Sequence, residues 1–140
     1  MKSISLIVLS LSLFLFNACQ YEDGPSFSLI SKKSRAANTW VINQVFESGV
    51  DKTDDYKRAY VDYKVVIGKD NSYTLTYRPF NLTNYQENGA WKFSDDKAKI
   101  IFTPKGTSQQ NEWKILRLKN SECWVIQRVD GKDIELRMKD

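Results

Sequence analysis

Two cysteines, a scatter of carboxylates and no histidine bound the chemistry open to this chain of 140 residues. Without histidine, the common Ser-His-Asp triads, Cys-His dyads and imidazole metal sites are excluded, together with the side chain that titrates nearest neutral pH. No glycine-rich phosphate loop is present. Glycoside hydrolysis needs two carboxylates at a set separation, and Glu87, Glu112 and Glu122 stand near strand starts, where acidic side chains more often serve as solvated ends. Asp51, Asp54 and Asp55 have a spacing faintly like a calcium loop, without the full twelve-residue ligand series. The residue types therefore point away from an enzyme, and no cofactor or metal is expected.

The two cysteines differ in kind. Cys123 sits beside Trp124 and Val125 in an apolar run and reads as a small buried hydrophobe. Cys19 follows a segment of different character: Met1-Lys2 is a minimal positive start, Ile4 to Phe16 is apolar except for Ser5, Ser10 and Ser12, and Asn17-Ala18 leads into the cysteine. That stretch is shorter than the roughly 20 residues a spanning helix requires, so a cleaved signal is expected over residues 1–18. Ala18-Cys19 resembles the lipobox of bacterial lipoproteins, with Phe16 where an aliphatic residue is usual. The resemblance implies a thioether diacylglycerol on Cys19 and acyl chains such as palmitate, enough buried CH₂ for stable anchoring. With Cys19 acylated, Cys123 has no intramolecular partner and no disulfide framework exists.

Residues 19–30 form a tether of polar and turn-forming residues, Gln20-Tyr21-Glu22-Asp23-Gly24-Pro25. The Glu22-Asp23 pair resembles the acidic tag of surface-exposed lipoproteins in the Bacteroides group. Outer-membrane attachment is the expectation, on either the periplasmic or the surface face. The remaining chain, residues 31–140, supports one domain large enough to bury a core without staples. The net charge of the full chain, +4, arises from 21 basic and 17 acidic residues that interleave along it. This mixture describes a solvated surface and argues against a nucleic-acid partner.

From Trp40 onward the apolar pattern has period two and is cut at short intervals by turn residues. Strands are predicted at Trp40 to Glu47, Tyr60 to Ile67, Ser72 to Tyr77, Glu87 to Phe93, Ala98 to Thr103, Glu112 to Leu118, Glu122 to Arg128 and Asp133 to Lys139. Val61, Tyr63, Val65 and Ile67 share one face; so do Tyr73, Leu75 and Tyr77, and Ile134, Leu136 and Met138. Asp130-Gly131 is a strong hairpin signal. The strands starting at Glu112 and Glu122 carry apolar residues on both faces, which leaves their registers open. Eight short sequential strands predict an all-β, antiparallel up-and-down barrel, since closure removes two exposed edges. Ser31 is placed to cap a short helix from Lys32 to Ala37, which could plug one mouth.

The segments Cys19 to Pro25, Ser28-Leu29, Ser31-Lys32-Lys33 and Asn38-Thr39-Trp40 resemble the opening of lipocalin-like lipoproteins of the Bacteroides group. Gly49-Val50-Asp51-Lys52-Thr53, Gly89-Ala90-Trp91-Lys92-Phe93 and Ile115 to Asn120 continue that resemblance over nearly the whole mature chain. It implies a lipocalin-like barrel and an envelope location, and no established activity. True lipocalins open on Gly-x-Trp, with the tryptophan closing the barrel floor beneath an arginine. Asn38 stands in the glycine position, Trp40 is the floor candidate, and Arg128 or Arg137 could supply the stacked cation.

An eight-stranded barrel is either filled by its own side chains or holds one small molecule. Tyr63, Tyr73, Tyr77, Trp91, Phe93 and Phe102 are the candidate lining residues, and at about 150–250 Å² buried per ring they leave little empty space. A filled core and a small apolar pocket both remain open. The functional expectation is a lipid-anchored, non-enzymatic binder of a small apolar ligand. The alternative is a filled barrel serving as a protein- or glycan-interaction module or accessory subunit, through loop aromatics such as Tyr56, Phe80 and Tyr85.

Overall fold

The computed structural model describes residues 29–140; the signal segment 1–18 and Cys19 lie outside the described residues. In chain order the elements are α1 (Lys32–Ala36), β1 (Thr39–Glu47), β2 (Val50–Asp51), α2 (Thr53–Ala59), β3 (Tyr60–Ile67), β4 (Ser72–Pro79), β5 (Tyr85–Phe93), β6 (Lys99–Pro104), β7 (Asn111–Leu118), β8 (Glu122–Val129) and β9 (Lys132–Lys139). Strands β1 and β3 to β9 follow one another as antiparallel neighbours, and β9 returns to pair with β1 from Val41↔Lys139 to Glu47↔Ile134. The sheet is thus a closed eight-stranded barrel, with β2 as an extra strand on the edge of β1.

Hairpin chemistry sets the meander. Asp130 and Gly131 both have positive φ, 49° and 78°, as do Ser48 (50°) and Gly49 (81°). Two consecutive positive φ values give the turn whose twist matches the flanking strands. Inward residues then alternate along β9 as Ile134, Leu136 and Met138, all buried. Along β3 the alternation holds for Tyr63, Val65 and Ile67 but is interrupted by a bulge between Val61 and Lys64, where Asp62 has φ 57° and pairs with Arg78. A second bulge, between Ile115 and Arg117, settles the ambiguous register of β7. One extra residue lets both Ile115 and Leu118 point inward while Arg117 faces out.

The chain differs from the sequence expectation over residues 50–59. Instead of a loop with a faint calcium spacing, it forms β2 and α2. Asp51 Oδ1 accepts the Thr53 backbone N–H at 2.9 Å, and Asp55 pairs with Lys52 at 3.6 Å and Arg58 at 2.5 Å. These carboxylates are occupied in turning the chain and in supporting a helix with acidic residues first and basic residues last, an order that suits its dipole. Tyr56, expected in a loop, lies in α2 and packs on the core.

The two ends of the barrel are unlike. At the end where β1, β4, β6 and β8 begin, α1 lies across the opening. Ser31 Oγ accepts the Ser34 N–H at 3.1 Å, starting the helix as expected. Ala36 is fully buried and its carbonyl accepts the Trp40 indole N–H at 2.9 Å. Lys32 Nζ donates to the Lys97 carbonyl at 2.7 Å and stands 5.8 Å from the Phe93 ring centroid. Asn38 ties this end together, donating to the Asn120 carbonyl and Asp140 Oδ2 at 3.1 and 3.2 Å. Trp40 is fully buried in this closed half.

The arginine expected over Trp40 is elsewhere. Arg137 alternates with Leu136 and Met138 and therefore faces outward, where its guanidinium lies 4.5 Å from the Phe46 ring and 4.4 Å from Trp124. Arg128 is on the hairpin at the opposite end, near Asp133 and the Gly131 carbonyl. The polar edge of Trp40 is satisfied by the Ala36 carbonyl, and a cation at this end, Lys32, lies over Phe93 instead.

Candidate functional site

The opposite end of the barrel is open and leads into a cavity of about 280 Å³. That volume is at the lower limit for a small-molecule pocket. Its inner walls are formed by Val65 from β3, Leu75 from β4 and the rings of Tyr63, Tyr73, Phe102 and Trp113, with the carboxylate of Glu87 set among them. Its rim is polar, with Gln110 and Asn111 before β7, and Gln127 and Arg128 at the end of β8.

A run of edge-to-face rings builds the wall. Tyr73 and Phe102 have centroids 4.8 Å apart at 68°, and Phe102 and Trp113 are 4.7 Å apart at the same angle. Gly89, directly opposite Tyr73 in the ladder, makes this possible. A Cβ there would lie 2.7 Å from Tyr73 Cε1 and 2.2 Å from the Thr103 carbonyl oxygen, so only glycine lets the ring settle over β5. The Trp113 indole N–H donates to Gln127 Oε1 at 3.2 Å, fixing the far end of the run.

Glu87 is the charged group set among these rings. It is half-buried, faces the cavity from β5, and receives two phenol hydrogen bonds: Tyr73 Oη donates to Oε1 at 2.7 Å and Tyr85 Oη to Oε2 at 3.1 Å. Burial pushes the Tyr73 hydroxyl well above its ordinary titration range, and the bond to Glu87 pushes it further. Tyr63 is raised likewise, by burial first and then by nearby Tyr77 and Glu87. Both phenols are neutral donors at any physiological pH. The other two carboxylates singled out in the sequence are committed elsewhere, Glu112 to Lys99 at 2.6 Å and Glu122 to Arg117 at 2.8 Å.

The six candidate lining residues divide by height in the barrel. Tyr63, Tyr73 and Phe102 line the cavity. Tyr77 lies beside it, in a lateral cleft of about 720 Å³ lined mainly by β3, β4 and the start of β5, with Val41 and Ile42 of β1 at its edge. Strands β1 and β3 pair only through Thr39–Val41 and splay beyond, with α2 against both. Tyr63 is the shared wall of cavity and cleft. Trp91 and Phe93 face inward in the closed half. Trp91 donates its indole N–H to the Gly68 carbonyl at 2.8 Å, and Phe93 lies near Lys32 of α1, so both belong to the packed floor. Trp113 and Glu87 were not expected as lining residues. The alternation of Glu112 and Lys114 with Trp113 and Ile115 was the available signal for the first. Only the register Leu75↔Glu87 brings the second inside.

Cys123 is in the closed half, fully buried, and burial pushes its thiol up to about 12. It does not line the cavity and remains a thiol, a poor nucleophile. Among the described residues, no three cysteine or carboxylate groups gather as a metal site.

A closed eight-stranded antiparallel meander, plugged by a helix at one end and open to a cavity at the other, is a lipocalin-like barrel. Among solved structures the chain is similar to a lipocalin-like protein from Bacteroides uniformis, with a TM-score of 0.55 and 12% identity over 76% of this chain and 98% of that one. It is also similar to an uncharacterized protein from Bacteroides eggerthii, with a TM-score of 0.53 and 11% identity over 74% of this chain and 98% of that one. The likeness at this identity is one of fold. No family model and no curated protein sequence matches the chain.

Proposed function

We propose that the protein is a lipid-anchored envelope protein that holds a small molecule, apolar over most of its surface, in the open end of its barrel. The observation that carries this reading is the asymmetry of the interior. Side chains pack the closed half, while the open half keeps a cavity walled by aliphatic side chains and aromatic rings with one carboxylate among them and a polar rim, a composition that suits a ligand site. The role is binding without chemistry, because the chain has no histidine and its buried thiol lies at the other end. Anchoring rests on residues 1–19: the signal pattern and Ala18-Cys19 support a diacylglycerol on Cys19 and attachment to the outer membrane. Changing Cys19→Ala should abolish incorporation of labelled palmitate and move the protein to the soluble fraction; unchanged membrane association would remove the anchor.

Native mass spectrometry of residues 29–140, incubated with host envelope extract, tests the binding role. This segment contains the core found among the described residues and closes on itself through β1 and β9. A reproducible added mass, lost on denaturation, is expected.

A second reading has one observation in its favour. Phe80 and Leu82 are 71% and 76% exposed in the loop between β4 and β5, and Phe80 holds φ 46°, uncommon for a bulky residue. An interaction module would use this projecting pair for a protein or glycan partner. Loss of such a partner from the Phe80→Ser, Leu82→Ser variant, with cavity binding intact, would select it.

A further inference from the structure

We propose that the cavity takes an organic cation: an alkylammonium whose charge sits against Glu87 and the aromatic wall and whose apolar body lies on Val65 and Leu75. The inference rests on the binding role above and names the chemistry of its ligand. Glu87 is the starting point. Both oxygens accept hydrogen bonds from neutral phenols, Tyr73 and Tyr85, which hold the carboxylate in place without cancelling its charge. Among the described residues no lysine or arginine pairs with it. The carboxylate is thus a fixed, hydrogen-bonded negative group at the cavity wall with no cation of the chain against it, placed to receive one from a ligand.

The surroundings fit that cation. Ring faces attract ammonium groups through the ring quadrupole, most strongly where water is excluded, and Tyr63, Tyr73, Phe102 and Trp113 border the same space. The remaining charged groups at the cavity do not change the balance. Glu112 is neutralised by Lys99, and Arg128 stands at the rim with 73% of its side chain exposed, 3.9 Å from Asp133. A carboxylate ligand, by contrast, would meet Glu87 at close range with no buried cation to receive it.

The test is a series of three molecules with one chain and three head groups, octylammonium, octan-1-ol and octanoate, titrated into residues 29–140 at pH 7 with tryptophan fluorescence and calorimetry as readouts. Octylammonium should bind at least about tenfold more tightly than octan-1-ol, and octanoate most weakly. Glu87→Gln should bring octylammonium to the level of octan-1-ol and leave the alcohol unchanged. If that variant fails to fold, the series on the unaltered protein still decides. Equal or tighter binding of the alcohol or the carboxylate would overturn the cation and leave the cavity a binding site. No binding of any of the three by a protein with an intact thermal transition would overturn the cation, while a mass retained from envelope extract would still support a ligand of another kind.

Discussion

Gly89 shows how one missing side chain determines the wall of the cavity. The Tyr73 ring occupies the place where a Cβ would be, and the Thr103 carbonyl is closer still. Gly89→Ala should therefore force β5 and β6 apart and displace the ring, lowering stability by about 1–3 kcal/mol, the usual cost of overpacking, read as a lower urea midpoint. Buried hydroxyl and thiol groups give a second consequence. Cys123 ionises near 9 in the unfolded chain, while in the fold burial pushes it up to about 12. Between those values the unfolded state releases a proton that the native state keeps. Stability should fall as pH rises above about 9, by about 1.4 kcal/mol per pH unit for this group, with Tyr63 and Tyr73 adding to the slope above about 10. Urea midpoints from pH 7 to 11 measure it; a flat profile would mean that these groups are solvated in the native state.

At the scale of elements, α1 is a separable part of the closed end. Its Ser31 cap is solvent-exposed, and Ser31→Ala should cost about 1 kcal/mol in thermal unfolding while leaving ligand binding at the far mouth unchanged. The strands were legible because turn residues and period-two alternation act locally, so the eight predicted segments match the barrel strands to within about two residues at each end. The helix at Thr53–Ala59 was not seen. Seven residues carry too little periodicity, and the carboxylates that start it resemble a ligand series when their partners Thr53, Lys52 and Arg58 are not in view. The inward faces of the aromatics were also legible, but their heights were not. Nothing local distinguishes Phe102, beside the cavity, from Trp91, beneath it; that difference depends on where α1 crosses the barrel and where β1 parts from β3. Glu87 was hidden for the same reason, since a carboxylate near a strand start resembles a solvated end until Tyr73 and Tyr85 are folded around it.

For the molecule as a whole, closure is the feature on which stability turns. β9 pairs along its length with both β8 and β1, and its inward Ile134, Leu136 and Met138 are buried. Ending the chain at Val129 should expose two bare strand edges and an open core, giving an insoluble or unfolded product, as circular dichroism of the recovered protein would show. The placement of α1 has a further consequence for how the protein would stand on a bilayer. The chain enters the barrel at the plugged end, and strands of about eight residues, tilted as barrel strands are, put the mouth about 20 Å away. A lipid on Cys19 would hold the base toward the headgroups, and the ten residues from there to Leu29 reach at most about 35 Å. That reach exceeds the height of the barrel, so such a tether would fix which end is attached and leave the mouth unobstructed at the other, free to turn and to meet solutes from the aqueous side.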